Sequence, residues 1–195
     1  MPPPRLLAAA LLATLPLLAL AARADAPAGT AFLDVKEGTL GYTLVHKLHE
    51  VKATCRTLEG KVAILPSGAA RVQVRAKVAC FDSGNSNRDV HMREATKEAL
   101  FPYVTVKGTA DGVTLPLAGP VEKPLVAMVE FAGQRQQHTL VLKLTPAGAG
   151  AQASFSFPIS LDAYKVERPE LLFVKVEDQV VIDGSVRLEP APKAP

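Results

Sequence analysis

The sequence predicts an all-β domain, an antiparallel sheet that either closes on itself or folds into a sandwich. Apolar and polar residues alternate with a period of two in about eight short segments. Turn-forming pairs such as Asp111-Gly112 and Ala132-Gly133 separate several of these segments. Only one stretch has the pattern of a helix. Short strands linked mainly by short turns are typical of antiparallel barrels and sandwiches.

The first 24 residues are predicted to be a secretory signal peptide. Arg5 precedes a Leu- and Ala-rich run over 6–20 that is too short to span a bilayer, and Ala22-Arg23-Ala24 supplies a cleavage pattern. Cleavage after Ala24 would leave a domain over 25–190 and a tail at 191–195 that we expect to be disordered. Such a peptide predicts export to an oxidising compartment, and no cysteine follows the apolar run to carry a lipid anchor.

The charge of the mature chain argues against partners that bind by electrostatics alone. Loss of Arg5 and Arg23 with the signal peptide reduces 22 Lys and Arg residues to 20, against 19 Asp and Glu residues. The net charge is then +1, and no run of basic residues remains. We therefore expect no nucleic-acid partner and no stable membrane anchor.

The strand pattern can be followed along the chain. The residues Leu40, Tyr42 and Leu44 share one face of a first strand, which the pattern extends to residue 48. In the last strand, Asp183-Gly184 interrupts the pattern and predicts a bulge or a turn. The alternating segments are 40–48, 51–57, 58–64, 71–80, 104–106, 127–131, 140–144, 155–161 and 180–188.

The two cysteines provide a test of the strand register. Small and apolar residues occupy odd positions over 51–57 and even positions over 58–64, which predicts a one-residue bulge near Arg56 and Thr57. If the next hairpin pairs Ile64 with Val72, this bulge places Cys55 opposite Cys80, at a distance that permits a disulfide. An exported protein favours this bond over two buried free thiols.

A polar cluster marks the one predicted helix. Asn87 is predicted to cap a helix over 88–100, which Pro102 ends. Side-chain turns at Asp82 and Asn85 would satisfy backbone groups where a strand gives way to this helix. These residues alone favour a structural corner over a catalytic loop. The cluster contains Asp82, Asn85, Asn87, Arg88, Asp89 and His91.

Catalytic and metal sites have weaker support. The spacing His46-x-x-His49 resembles a ligand pair, but residues three apart on a strand point to opposite faces unless the chain bends between them. With His91 they could form a three-histidine site, which we keep as a minor hypothesis. No serine has a nucleophile-elbow context, so an enzyme is the weaker class.

Two quoted stretches resemble a known family. "FDSGNSNRDVHM" followed by "FPYVTVKG" is similar to the signature of the YceI-like family of bacterial lipid-binding proteins. "LHEVKATCRTLEGKVAI" resembles an early segment of the family, with Ala53 in place of a usual Gly and Cys55 in place of a usual Phe. The final third, from residue 155, resembles the closing strands. The two replacements indicate a divergent branch.

The resemblance implies an extended, lipocalin-like, antiparallel up-and-down β-barrel of about eight strands with one short helix between strands. It also implies a periplasmic binding or carrier protein that holds an isoprenoid lipid, such as a polyprenyl compound or isoprenoid quinone, in place of a cofactor. A homodimer is compatible with this. The early histidine of the family aligns best with His49, and the expected polar contacts are His49, Arg88 and His91. The expected cavity residues are Leu40, Tyr42, Leu44, Val74, Val78, Val104, Val106, Phe155 and Phe157.

Two other interpretations remain at this point. A structural or stress-related envelope protein would have a solidly packed barrel and no ligand, and ordinary core packing explains each apolar residue taken singly. A metal-dependent activity would use His46, His49 and His91. Small residues such as Ala53, Ala76 and Ala127 favour internal space over solid packing.

Overall fold

The computed structural model describes residues 27–46, 49–168, 170–171 and 174–192. The predicted signal peptide at 1–24 and the last three residues of the predicted tail lie outside these ranges. The described residues form eleven strands, one α-helix, α1 (Ser86–Ala95), and one 3-10 turn (Val78–Cys80). The strands are β1 (Ala31–His46), β2 (His49–Cys55), β3 (Leu58–Ile64), β4 (Ala70–Lys77), β5 (Tyr103–Ala110), β6 (Val121–Phe131), β7 (Gln134–Ala147), β8 (Gly150–Ser160), β9 (Glu170–Leu171), β10 (Val174–Lys175) and β11 (Gln179–Pro190).

Nine of these strands form one closed antiparallel sheet. Their order is β11-β8-β7-β6-β5-β4-β3-β1-β2, and β11 also pairs with β1, which closes the barrel. The strands β2 and β3 both pair with β1, so together they act as one long barrel strand opposite it. The predicted eight-stranded, lipocalin-like barrel is therefore confirmed. The strands β9 and β10 form a small separate sheet between β8 and β11.

The inward-facing residues change between odd and even positions at the same level in two neighbouring barrel strands. The pairing of β1 with β11 shifts at Lys36, between Val35 and Glu37. Next to this level, β2 ends at Cys55 and β3 begins at Leu58, and the buried residues change from odd to even positions as expected. The change in β1 and the change between β2 and β3 occur together. The strand β1 therefore pairs with β2 and with β3 in one continuous register. The predicted irregularity near Arg56 and Thr57 thus has a counterpart in β1.

The structure contains the predicted disulfide, but the register used to predict it was wrong. Ile64 pairs with Ala70 and not with Val72, because Gly68 adopts a positive φ of 82° in a shorter turn. The strand β4 then ends at Lys77, and Cys80 lies in the 3-10 turn that follows. This turn carries the chain toward β2, where the Cα atoms of Cys55 and Cys80 are 5.1 Å apart.

The helix begins and ends earlier than the sequence predicted. Asn85, not Asn87, is the N-cap, since its backbone is extended and its side-chain oxygen accepts a hydrogen bond from the Arg88 N–H at 3.0 Å. The helix ends at Ala95 and not near Pro102. There the Thr96 hydroxyl donates to the Met92 carbonyl at 2.8 Å, and Lys97 adopts a positive φ of 55°.

The last strand continues through Asp183-Gly184 without a bulge or a turn, so that expectation was wrong. A Cβ atom at Gly184 would overlap the ring of Phe155, its pairing partner on β8. The glycine therefore makes room for an inward aromatic ring, which is a packing role and not a turn role.

The two ends of the barrel are closed by different segments. At one end, the β5–β6 loop (111–120) packs Leu115 and Leu117 against a buried cluster that includes Leu33, Leu144 and Leu188; we call this loop the floor loop. At the other end, the β8–β11 segment contributes buried side chains to a second cluster, and α1 lies on the remaining side of this end. The second cluster includes Ile159, Leu161, Tyr164, Val166, Val176 and Val180.

Candidate functional site

An apolar cavity of about 480 Å³ occupies the interior of the barrel. Its volume lies within the range of roughly 300 to 1,000 Å³ that is typical of small-molecule sites. Val106 and Phe157 lie between the two buried clusters and pack against both. The cavity therefore runs through the middle of the barrel, between the two packed ends.

The burial pattern along β4 shows where the barrel is hollow. Ala70 and Ala76 are buried, whereas Val72 and Val74 between them are only half-buried although they alternate onto the same inward face. Inward residues at mid-height on β5 and β8, such as Val106 and Phe155, are half-buried as well. Their exposed surface faces the cavity, since all four half-buried side chains line it. A solidly packed barrel would bury this middle band.

The cavity is long and narrow. On β4 and the turn after it, the inward residues from Ala70 to Val78 all line it. At about 3.3 Å per residue and a strand tilt of about 40°, this stretch corresponds to roughly 20 Å along the barrel axis. The modest volume, distributed over this length, leaves room for a slender extended chain and excludes a compact, bulky ligand.

The structure places nearly every predicted site residue at this cavity. Of the three expected polar contacts, Arg88 and His91 line it from α1, and the His49 side chain lies outside the described part of the chain. Contact with a ligand remains a prediction for each. The nine expected apolar residues all line the cavity: Leu40, Tyr42, Leu44, Val74, Val78, Val104, Val106, Phe155 and Phe157.

Among the lining residues that sequence reasoning missed, two groups lie outside the long barrel strands. Met92 and Ala95 of α1 line the cavity, although the helix has no apolar stripe that would have indicated an inward face. Val113, Leu115 and Leu117 line it from the floor loop. The alternation of these three residues in "VTLPL" is a sequence signal for an inward face outside the strands.

The cavity opens beside α1. Among the described residues that line it, two are solvent-exposed: Arg75, near the end of β4, and His91, on α1. Arg75 is held at the outer surface by Glu59, at 2.7 Å, and by the ring of Tyr103. His91 projects from the helix at the rim. We call this region the mouth.

The polar cluster before α1 forms the corner that supports the mouth. The Arg88 guanidinium donates to the Ser83 carbonyl at 2.7 Å and to its hydroxyl at 2.9 Å, and the buried Asp89 carboxylate accepts from the Ser83 N–H and hydroxyl. Asp82 accepts from the Gly84 N–H, as expected of a side-chain turn. Arg88 and Asp89 therefore share Ser83 as a common partner, and the cluster fixes the start of α1.

A tyrosine hydroxyl adds a polar group close to this corner. Burial, and to a smaller extent the neighbouring Asp89 carboxylate, raise the pKa of Tyr42 to about 12, while Arg88 opposes the shift. The hydroxyl therefore stays protonated at neutral pH. Tyr42 lines the cavity and its ring lies 5.7 Å from the ring of Phe81. Near the mouth the cavity is thus apolar with a few hydrogen-bonding groups.

A histidine–tyrosine pair that no sequence pattern predicts lies near the mouth end of the barrel. The His138 Nε2 atom and the hydroxyl of the fully buried Tyr164 are 2.9 Å apart, and the two rings are stacked. Burial lowers the pKa of His138 and raises that of Tyr164. Both groups are therefore neutral at pH 7, which suits their position against Phe131 and Phe157.

We expect this pair to make stability depend on pH. Because the folded state lowers the pKa of His138 below its usual value of about 6.5, the unfolded state takes up a proton first as the pH falls. Stability should thus be complete above pH 6.5 and decline below it. A His138→Gln variant can still form a hydrogen bond with Tyr164, but its side chain does not titrate. In thermal melts, its Tm should therefore fall by less than the wild-type Tm between about pH 7 and pH 5. If Tm fell equally with pH in both proteins, His138 would not be the source of the pH dependence.

A histidine metal site receives no support from the described residues. Among them, no three His, Cys, Asp or Glu side chains cluster as metal ligands would. The backbones of His46 and His49 are direct partners across the β1–β2 hairpin, so the chain does bend between them, which is the condition for the two histidines to share a face. Their side chains lie outside the described part of the chain.

The geometry defines a class of protein, a lipocalin-like barrel with a long apolar cavity that opens beside a helix. The chain belongs to the YceI-like family, since the model for the YceI-like domain matches residues 32–188. A comparison with curated protein sequences finds no match. In the described part of the chain, no helix has the length and apolar character needed to cross a membrane.

Solved structures share this fold at low sequence identity. A polyisoprenoid-binding domain from Saccharophagus degradans matches with a TM-score of 0.68 and 17% identity, over 82% of this chain and 98% of its own. BcnA from Burkholderia cenocepacia matches with a TM-score of 0.65 and 17% identity, over 77% and 95%. The YceI protein of Campylobacter jejuni matches with a TM-score of 0.53 and 15% identity, over 76% and 90%.

Proposed function

We propose that this protein is a periplasmic binding or carrier protein that holds an isoprenoid-type lipid, such as a polyprenyl compound or an isoprenoid quinone. The observation that carries the proposal is the half-buried middle band of inward apolar residues around an elongated cavity. Such a band is costly to leave uncovered, because burial of apolar surface contributes about 25 cal/mol per Å². A lipid chain that entered the cavity would cover it.

The shape of the cavity supports a chain-like ligand. The lining is apolar along its whole length, and hydrogen-bonding side chains such as Tyr42 and His91 lie toward the mouth. This arrangement suits a long apolar chain with a polar headgroup near the opening. The polyisoprenoid-binding domain from Saccharophagus degradans has the same fold, which supports the isoprenoid class. Transport through water, without catalysis, is the role that such a container serves.

The two alternative functions have less support. The structural envelope protein without a ligand predicted a solidly packed barrel, and the cavity does not fit that expectation. The metal-dependent activity would use His46, His49 and His91; the side chains of the first two lie outside the described part of the chain, and no observation favours this activity. A periplasmic location, in turn, rests on the predicted signal peptide and on the Cys55–Cys80 disulfide, which forms in oxidising compartments.

Native mass spectrometry tests the proposal. The protein would be purified gently, and its mass measured before and after incubation with an isoprenoid quinone and with a prenyl alcohol. We expect an added mass that corresponds to one lipid, either as purified or after incubation. An unchanged mass of the protein alone in every sample would refute the proposed function.

A further inference from the structure

The floor loop forms the closed end of the cavity that lies opposite the mouth. Val113, Leu115 and Leu117 alternate inward from this loop, and all three line the cavity. Val113 is almost fully buried, whereas Leu115 and Leu117 are half-buried and pack against the cluster at this end. Because Leu115 and Leu117 line the cavity at this end, a chain entering from the mouth would meet them last.

The floor loop is tied to the neighbouring β3–β4 turn near its start. The Val113 N–H donates to the Gly68 carbonyl at 2.9 Å, which ties the loop to the β3–β4 turn. A Cβ atom at Gly68 would lie 3.5 Å from the Cα atom of Gly112, which shows how closely the two turns pack. An anchored loop with two half-buried leucines provides a defined end to the cavity.

We propose that Leu115 and Leu117 determine the length of the lipid chain that the barrel accepts. The inference rests on the proposed function, because it assigns a specificity role within the same cavity. A chain that is too short leaves apolar surface of the middle band uncovered, and one that is too long leaves its end outside the mouth. Affinity therefore peaks at the length that fills the space between the mouth and the two leucines.

Substitutions in both directions test this role. Leu117→Ala and Leu115→Ala deepen the cavity, and Leu117→Trp shortens it. The exposed Thr114 lies next to Leu115 on the outward side of the loop, so Thr114→Ala and Thr114→Trp are matched controls. Each protein, stripped of lipid, would be titrated with all-trans prenyl alcohols that increase by one isoprene unit, and Kd would be measured for every length.

The alanine variants should bind best to a longer alcohol than the wild type does, and Leu117→Trp to a shorter one. For the longer alcohol, the alanine variants should gain about tenfold in affinity relative to wild type, because a few more CH₂ groups are buried. The Thr114 variants should keep the wild-type optimum. If all variants bind with an unchanged optimum, the leucines do not set chain length. If the wild type binds no alcohol of the series, the proposed function fails instead.

Discussion

Replacement of Val74 by Trp is expected to weaken binding of an isoprenoid chain by roughly 70-fold. Val74 lies at mid-height on β4, half-buried, with its side chain in the cavity. If the indole displaces about 100 Å² of ligand surface, the lost burial is worth about 2.5 kcal/mol at 25 cal/mol per Å², which corresponds to that change in Kd. A fluorescence or calorimetric titration with a prenyl alcohol would measure it.

A neighbouring residue provides the matched control for this prediction. Gln73 precedes Val74 on β4 and is exposed on the outer wall, so Gln73→Trp adds the same side chain outside the cavity. This control should bind like the wild type. Thermal melts of both variants would show that the barrel remains folded. Equal affinity of the Val74 and Gln73 variants would mean that the ligand does not pass through the middle of the barrel.

Loss of the Cys55–Cys80 disulfide is expected to lower the free energy of unfolding by about 3.5 kcal/mol, from the chain-entropy estimate for a loop of this size. The two residues are 25 positions apart in sequence. The bond ties β2 to the turn that leads into α1, next to the backbone bridge between Thr54 and Asp82. Urea unfolding of the Cys55→Ala/Cys80→Ala variant, compared with wild type, measures this loss.

Reduction of the wild-type protein separates the cross-link from the packing of the sulfur atoms. Cys55 is fully buried, so its replacement by Ala also removes some packing. The reduced wild type keeps both side chains and loses only the bond. Its free energy of unfolding should therefore fall by most of the amount seen in the variant. Identical urea midpoints for oxidised and reduced wild type would show that the bond does not constrain the unfolded chain.

The inward face of the barrel could be predicted from the sequence because period-two alternation tolerates errors in register. The predicted pairing of Ile64 with Val72 was displaced by two residues from the observed pairing with Ala70. A displacement of two keeps every side chain on its face, so residues such as Val74 and Val106 were still assigned correctly to the interior. The cysteine pairing also survived, because the 3-10 turn carries Cys80 back toward β2.

Features that depend on a few local hydrogen bonds could not be predicted in the same way. Asn85 and Asn87 are both acceptable caps by residue type, and the extended backbone of Asn85 decides between them. The sequence places His46 and His49 on one strand because residues 47 and 48 between them include no Gly, Pro, Asn or Asp, whereas the structure pairs the two histidines across a hairpin. The pair of His138 and Tyr164 joins residues 26 positions apart, and no local pattern connects them.

The half-buried middle band makes the empty barrel an unfinished hydrophobic core. A lipid that fills the cavity would supply the missing core atoms, so that the chain and its cargo would unfold as one unit. By mass action, free lipid at about 100 times its Kd would add about 2.7 kcal/mol to the stability of the protein. The lifetime of the protein against proteases would then follow the supply of lipid, and empty molecules would be removed first.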